Sequence, residues 1–270
     1  MLINGVPTHQ IAATDRGLQY GDGLFETIAV VNGSPRLWER HMARLRLGEQ
    51  RLGLPPEDKE RLLREILSLL EDGQRGVIKI VLTRGQGGRG YRPPEQPRTS
   101  RIISLHDWPD YPAEWFSKGI SLRICATRLG RNERLAGIKH LNRLEQVLAR
   151  SEWQDDKIPE GLMLDERDCV IEATQSNLFL LRYGRLLTPD LSKCGVAGVV
   201  RELVLELAKD LGMQTVVSEI TLDQVKSADA LFLTSSLLGI CPVAELEECR
   251  FNIQKIPSAL SARIRGLVMG

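Results

Sequence analysis

The first 106 residues combine two periodicities of apolar and polar positions, which predict strands and helices in a small unit. Residues 25–31 are mostly apolar and end at Asn32-Gly33, the dipeptide most typical of a tight β-hairpin. Residues 56–71 predict a helix because their leucines and isoleucine recur on one face. The predicted strands cover residues 2–6, 25–31, 76–84 and 101–106, and the predicted helices cover residues 37–52 and 56–71.

The second half mixes the same two periodicities, with little of the regular strand–helix alternation of a doubly wound sheet. Its predicted strands cover residues 120–129, 161–165, 169–172, 178–182, 215–220 and 230–234, and its predicted helices cover 141–153, 199–211, 222–227 and 258–269. The proline-rich and aspartate-rich segment 107–112 indicates a linker between two halves. The sequence therefore predicts a two-domain α+β (mixed α/β) protein, with a smaller N-terminal domain at 1–108, a linker at 109–117 and a larger C-terminal domain at 118–270.

Charge and cysteine usage narrow the function classes. The 270 residues carry 36 basic and 35 acidic side chains, and this balance argues against a nucleic-acid or membrane-surface binder. No apolar stretch is long enough to span a bilayer, and the N-terminus lacks the pattern of a signal peptide. The five cysteines and four histidines have no spacing typical of a disulfide framework or a metal site. We therefore expect a cytoplasmic protein without a bound metal.

Residues 85–90 (GQGGRG) follow a predicted strand and match the G-x-G-x-x-G pattern of dinucleotide-binding proteins. Such a site needs a helix that begins at the glycines, so that the helix N-terminus meets the pyrophosphate. The next residues, 91–97 (YRPPEQP), contain three prolines and do not form that helix. We reject a nicotinamide cofactor and expect a flexible loop that carries arginine.

Lys139 stands in the segment 137–145 (GIKHLNRLE), directly ahead of a predicted helix. Packing against Ile138 and Leu141 would remove water from its amine and lower its pKa, as a Schiff-base amine requires. The alternative is an ordinary solvated surface charge. The residues that the rest of the chain places around Lys139 decide between a Schiff-base amine and a surface charge.

An aldehyde cofactor on Lys139 would be pyridoxal phosphate, which acts as an electron sink for carbanions. It needs a carboxylate for the pyridine nitrogen and donors for the phosphate. Glu172 in an apolar strand, the helix start at 198–201, Arg44, and the pair Ser235 and Ser236 are candidates. Each has a structural alternative: a strand-edge carboxylate in water, a turn between strand and helix, a solvated or salt-bridged arginine, and serines that end a strand.

Four motifs resemble the fold type IV pyridoxal-phosphate enzymes, which include branched-chain and D-amino-acid aminotransferases. They are the segment 15–27 (DRGLQYGDGLFET), H-x-x-R-L at 41–45, E-x-x-x-x-N-L-F at 172–179 and G-V-V-R at 198–201. Two further stretches, 84–91 (RGQGGRGY) and 129–146, resemble the lyase branch of this class, the 4-amino-4-deoxychorismate lyases. The resemblance covers nearly the whole chain and implies a two-domain fold like that of D-amino-acid aminotransferases.

The resemblance also implies roles for individual residues. It implies pyridoxal 5'-phosphate as the cofactor, Lys139 as the Schiff-base lysine and general base, and Glu172 as the partner of the pyridine nitrogen. The residues implied to hold the phosphate are Arg44, the amides of Val199 and Val200, and Ser236. The residues implied to contact the substrate are Thr27, Arg89, Tyr91 and Asn142.

The lyase branch converts 4-amino-4-deoxychorismate to 4-aminobenzoate and pyruvate in folate biosynthesis, and its members are homodimers, so the resemblance implies both properties here. The alternative within the class is an aminotransferase acting on D- or branched-chain amino acids. Leu144 weakens this alternative, because aminotransferases of the class usually place a tyrosine there. A third alternative is a non-catalytic protein that holds the cofactor.

Overall fold

A computed structural model describes residues 1–270, the whole chain. Contacts divide the chain into two compact units. The first unit contains residues 1–109 together with the short segment 138–142, and the second contains residues 110–137 and 143–270. The segment with Lys139 therefore belongs to the first unit, although the chain on both sides of it belongs to the second.

The first unit is built on one six-stranded antiparallel sheet. Its elements are β1 (Leu2–Ile3), β2 (Val6–Pro7), α1 (Arg16–Tyr20), β3 (Gly23–Val31), β4 (Ser34–Pro35), α2 (Trp38–Leu52), α3 (Lys59–Leu67), β5 (Gly76–Thr83) and β6 (Ser100–His106). The strand order is β2-β1-β6-β5-β3-β4. The hairpin predicted at Asn32-Gly33 is confirmed, and it joins β3 to β4.

Two predictions for the first unit need correction. The single edge strand predicted at 2–6 is a miniature hairpin, because β1 and β2 pair across a turn at Asn4-Gly5. The helix predicted at 56–71 covers only α3. It begins at Lys59 because the Asp58 carboxylate accepts hydrogen bonds from the amides of Glu60 and Arg61, an N-cap that fixes the helix start.

The second unit is built on a larger mixed sheet. Its elements are α4 (Ala113–Ser117), β7 (Ile120–Leu129), α5 (Leu144–Arg150), β8 (Glu160–Asp165), β9 (Cys169–Ala173), β10 (Asn177–Arg182), β11 (Arg185–Pro189), α6 (Val199–Asp210), β12 (Gln214–Ser218), β13 (Ile220–Thr221), α7 (Leu222–Lys226), β14 (Ala230–Ser235), β15 (Gly239–Leu246), β16 (Cys249–Arg250), a 3-10 turn (Ile253–Lys255) and α8 (Ser258–Met269). The strand order is β12-β11-β10-β14-β15-β7-β8-β9-β13, and β16 pairs with β15. The helix predicted at 258–269 is confirmed.

Sequence reasoning missed β15 and misplaced the start of α5. Pro242 lies inside β15, and a proline inside an apolar run normally argues against a strand. The helix predicted from residue 141 begins at Leu144, because the preceding residues pair with β3 instead. The Phe25 amide donates to the Lys139 carbonyl at 2.9 Å, and the Leu141 amide donates to the Gly23 carbonyl at 3.0 Å. These bonds flank an isolated antiparallel bridge between His140 and Leu24, which keeps the segment out of the helix.

None of the helices is both long and apolar enough to cross a lipid bilayer. All five cysteines are free thiols.

Candidate active site

Lys139 lies against an aromatic ring in the first unit. Its Nζ is 4.3 Å from the centre of the Phe25 ring, and the preceding residue, Ile138, is fully buried. Lys139 itself is half-buried. A cation over an aromatic face is attracted by the electron density of the ring. Lys139 is therefore not fully solvated, and its covalent role stays a prediction.

Arg44 is ion-paired in the same unit. Its Nε donates to Oε1 of Glu26 at 2.8 Å and its Nη2 donates to Oε2 at 2.5 Å. The side chain of Arg44 is only 9% exposed. The structure therefore excludes a solvated arginine and agrees with the salt-bridged alternative, in which Glu26 holds the guanidinium in one orientation. Its contact with a phosphate stays a prediction.

His41 completes a buried cluster with Glu26 and Arg44. The Nδ1 atom of His41 lies 2.7 Å from Oε2 of Glu26. Burial alone would raise the pKa of Glu26, but the charge and hydrogen bonds of Arg44 outweigh it and lower that pKa to about 2. Burial is also the main reason that the pKa of His41 is lowered. The cluster is a fixed anion between a fixed cation and a histidine.

Sequence reasoning gave Glu26 no role, although a signal for one existed. Side chains two apart on a strand share a face, so Glu26 shares its face with Leu24 and Ile28. Both neighbours are buried, which places the carboxylate in the interior as well. His41 and Arg44, three residues apart on α2, then supply the expected partners.

Glu172 lies on an interior strand of the second unit. β9 has β8 on one side and β13 on the other, and Glu172 is buried. Its Oε2 accepts a hydrogen bond from the Val196 amide at 2.9 Å and a longer one from Asn177 Nδ2 at 3.4 Å. Asn177 Nδ2 also donates to the Val196 carbonyl at 2.8 Å. The alternative of a strand-edge carboxylate in water is wrong.

The glycine turn before α6 is closely packed. A Cβ atom at Gly198 would lie 2.1 Å from Oδ1 of Asn177, and one at Gly195 would lie 3.3 Å from Oε2 of Glu172. α6 starts at Val199 with no side-chain cap, and Val199 and Val200 provide amides of its first turn. First-turn amides have no partner within a helix and attract anions. The start of α6 can therefore accept an anion, and the role of Val199 and Val200 with a phosphate stays a prediction.

Of the two serines at the end of β14, Ser235 is the last residue of the strand, and its side chain holds the turn that follows. Its Oγ accepts hydrogen bonds from the Leu238 amide at 3.2 Å and the Leu237 amide at 3.4 Å. Ser236 is half-buried, and its role with the phosphate stays a prediction.

Glu160 is a second buried carboxylate that sequence reasoning missed. It accepts hydrogen bonds from Oγ1 of Thr174 at 2.5 Å, from Oγ of Ser176 at 2.8 Å, and from the amides of Thr174 and Gln175. Burial raises the pKa of Glu160 to about 7, although these donors oppose the rise. Glu160 therefore holds the short connection between Glu172 and Asn177.

The four residues predicted to contact substrate all belong to the first unit. Thr27 is half-buried on the same face of β3 as Phe25. Asn142 donates to the Gly21 carbonyl at 3.1 Å. Arg89 and Tyr91 are exposed on the loop after β5. Thr27 and Phe25 share one face of β3, and the contacts of all four residues with a substrate stay predictions.

Comparison with known proteins adds independent findings. Residues 23–246 match the family model for amino-transferase class IV. An aminodeoxychorismate lyase of Vibrio harveyi is 35% identical, over 98% of this chain and 97% of that protein. A crystal structure of 4-amino-4-deoxychorismate lyase from Pseudomonas aeruginosa is similar with a TM-score of 0.94 and 44% identity, over 98% of both chains. A putative branched-chain-amino-acid aminotransferase of Methanocaldococcus jannaschii is 30% identical, over 92% of this chain and 86% of that protein. The structural likeness confirms the predicted mixed α/β fold.

Proposed function

The chain belongs to the amino-transferase class IV family, and we propose that it is a pyridoxal-phosphate lyase that converts 4-amino-4-deoxychorismate to 4-aminobenzoate and pyruvate. The observation that carries the proposal is the near full-length likeness, in sequence and in structure, to two lyases of that name. The predicted fold type IV architecture is confirmed by the same likeness. The reaction belongs to folate biosynthesis.

The residues present fit pyridoxal phosphate. Glu172 is a buried carboxylate held in place by the Val196 amide, which suits a partner for a protonated pyridine nitrogen. The uncapped start of α6 suits a phosphate. When bound, the cofactor supplies an electron sink for the carbanion that forms on the substrate. We propose Lys139 as the covalent lysine, Glu172 as the pyridine partner, and the phosphate ligands Arg44, Val199, Val200 and Ser236.

Three residues have chemical tasks in this proposal. Glu172 keeps the proton on the pyridine nitrogen, which maintains the electron demand of the ring. The amine of Lys139, freed when the amine of the substrate takes its place, would remove the proton from carbon 4 of the substrate as a general base. Loss of the enolpyruvyl group then makes the six-membered ring of the substrate aromatic. Lys139, now an ammonium, returns its proton to the enolpyruvate to give pyruvate. Arg44 keeps its orientation through Glu26.

Replacement of Lys139 tests the proposal. Lys139→Ala should abolish release of 4-aminobenzoate and the absorbance of the bound cofactor. Lys79→Ala is the matched control, because Lys79 Nζ also lies over the Phe25 ring, at 5.8 Å. The control should keep most of its turnover. Turnover retained by Lys139→Ala would remove this lysine from its role.

The aminotransferase relative of Methanocaldococcus jannaschii supports a second candidate function, transfer of an amino group from a D- or branched-chain amino acid. Such an enzyme would leave the cofactor in its amine form after it meets D-alanine or a branched-chain amino acid. The lyase would return it in the aldehyde form. Absorbance of the cofactor after mixing with each compound distinguishes the two.

We propose that the protein works as a homodimer in the cytoplasm. One face of α5 carries Leu144, Val147 and Leu148, which are 75%, 59% and 58% exposed in a single chain. Apolar side chains at this spacing support an interface between two copies. The free thiols support the location, because reduced cysteines are usual there.

Light scattering tests the dimer. Leu148→Glu should reduce the mass of the particle to that of one chain, whereas Val217→Glu, at an exposed position of β12, should not change it. A wild-type particle with the mass of one chain would contradict the proposal.

A further inference from the structure

Residues 85–92 (the 85–92 loop) are hydrogen-bonded to Thr14 and Arg16 at their start and to Arg16 at their end. At the start, the Arg16 amide donates to the Gly85 carbonyl at 2.9 Å, and the Gly87 amide donates to the Thr14 carbonyl at 3.2 Å. At the end of the loop, the Arg16 side chain donates the hydrogen bonds. Its Nη1 donates to the Gly90 carbonyl at 3.0 Å and its Nη2 to the Tyr91 carbonyl at 3.0 Å, with a longer bond from Nη1 to Arg92 at 3.5 Å. One guanidinium therefore fixes three successive peptide groups.

The guanidinium of Arg16 is itself fixed. It is almost fully buried, and its Nε donates to Oδ2 of Asp22 at 2.8 Å. The same oxygen accepts from Nε of Arg84 at 2.7 Å. Arg84, however, directs its other nitrogens to the Leu52 and Gly53 carbonyls at the end of α2. Two buried arginines thus share one carboxylate, and only Arg16 reaches the 85–92 loop.

The far side of the 85–92 loop faces water. Residues 88–92 are all exposed, and the side chains on this stretch are those of Arg89, Tyr91 and Arg92. Tyr91 is 84% exposed, and its ring meets the edge of Tyr20 at 5.5 Å between centres. Exposed loops of glycine and arginine are normally mobile, because little buried surface orders them. Here the hydrogen bonds from the buried Arg16 side chain hold the backbone of the loop in place.

We propose that Arg16 is a positioning residue that sets the shape of the 85–92 loop, so that Arg89 and Tyr91 meet a carboxylate of the substrate in a prepared arrangement. A loop already ordered in the free protein loses less conformational entropy when it binds, and affinity rises accordingly. The inference rests on the proposed function, since it takes the substrate to be a carboxylate that Arg89 and Tyr91 contact. It adds that the affinity of this contact is set from the interior by a residue that does not touch the substrate.

Arg16→Lys and Arg84→Lys form a matched pair for the test. Each variant keeps a positive charge beside Asp22 and loses the guanidinium group that donates to backbone carbonyls. Arg16→Lys should raise KM for 4-amino-4-deoxychorismate about tenfold, which corresponds to about 1.4 kcal/mol, with kcat within about twofold of wild type. Arg84→Lys should lower the Tm about as much as Arg16→Lys does, and it should leave KM unchanged. Equal effects of the two variants on KM, or no effect of Arg16→Lys, would overturn the inference.

Gly87→Ala tests the same contact without removing any charge. A Cβ atom at Gly87 would lie 2.8 Å from Cδ of Arg16, which pushes the arginine away from the loop. This variant should also raise KM while the absorbance of the bound cofactor stays the same. It keeps the test decisive if Arg16→Lys does not fold, because Gly87 is on the loop itself. A KM equal to that of wild type would again overturn the inference.

A double-mutant cycle with Arg89→Ala identifies the route of the effect. If Arg16 acts through Arg89, then Arg16→Lys should raise KM much less in the Arg89→Ala background than in wild type. Full additivity would overturn the inference. If Arg89→Ala keeps the wild-type KM while the wild-type enzyme makes product, the inference fails and the proposed function stands. Absence of product from the wild-type enzyme would instead overturn the proposed function, and the inference with it.

Discussion

Glu26 in the first unit and Glu160 in the second are both removed from water, yet their pKa values move in opposite directions. The pKa of Glu26 is lowered to about 2, and that of Glu160 is raised to about 7. Burial raises both. The difference comes from the partners: a guanidinium binds Glu26 with two hydrogen bonds, whereas Glu160 has only hydroxyl and amide donors. The charge of the partner, and not burial or the number of donors, decides which carboxyl stays ionised.

The two sites also contribute to stability in opposite pH ranges. The pKa of Glu26 falls on folding, so its contribution is present above about pH 4.5 and is lost as the pH falls towards 2. The pKa of Glu160 rises on folding, so its contribution is present below about pH 4.5 and is lost as the pH rises through 7. Glu26 is therefore a permanent anion at working pH, and Glu160 exchanges its proton near neutrality.

Removing the charge of Glu26 should have the largest effect. In Glu26→Gln, the buried guanidinium of Arg44 loses its anion, and removal of one partner of a buried pair costs about 3–5 kcal/mol. The free energy of unfolding, measured in urea at pH 7, should fall by that amount. Glu39→Gln replaces an exposed carboxylate on α2, the helix that carries Arg44, and should change the free energy of unfolding by less than about 1 kcal/mol. Similar losses in both variants would remove the distinction between a buried and an exposed anion.

Removing the charge of Glu160 should change the pH dependence of stability. The shift from 4.5 to about 7 corresponds to roughly 3 kcal/mol that the ionised form costs the folded state. Relative to wild type, Glu160→Gln should therefore become more stable by about that amount between pH 4.5 and pH 8. Unfolding in urea across this range measures the difference, since the other titrations are common to both proteins. Parallel curves would show that Glu160 does not titrate there.

Removing one neutral donor should have the smallest effect. Ser176→Ala leaves the carboxyl of Glu160 with one hydroxyl fewer, at a cost of about 1–2 kcal/mol. The cost should be larger at pH 8 than at pH 5, because the ionised form depends more on its donors. Ser151→Ala, at an exposed serine, is the control and should change stability little at either pH. An equal cost at both pH values would mean that Ser176 serves only the backbone.

The regular elements were predictable where a local pattern defines them. The apolar run of β3, which ends at the Asn32-Gly33 turn, and the apolar positions of α8 lie within short stretches, and both elements were predicted. β15 was missed because Pro242 breaks its local pattern, although its partners on both sides hold it in the sheet. The early start predicted for α5 failed for a related reason. The residues before it pair with β3, and nothing near them in the sequence indicates that partner.

The environment of the candidate site was less predictable than its residue types. Lys139 and Glu172 were identified from their motifs. The contact of Lys139 with Phe25, however, depends on two segments far apart in the chain. The raised pKa of Glu160 depends on its burial in the folded unit, and the donors that oppose the rise, Thr174 and Ser176, reach its carboxyl group from the turn after β9. Such partners follow from tertiary structure, and sequence periodicity does not contain them.

The detached segment 138–142 has a consequence for folding during synthesis. The first unit is not complete when residue 109 leaves the ribosome, because β3 still lacks the partner that pairs with Leu24 and Phe25. Contacts between residues so distant in sequence carry a high cost of loop closure and slow folding. The first unit therefore completes its fold only after the ribosome has added residues 138–142, and until then part of β3 lacks its partner. The step that completes the first unit also places Lys139 against Phe25.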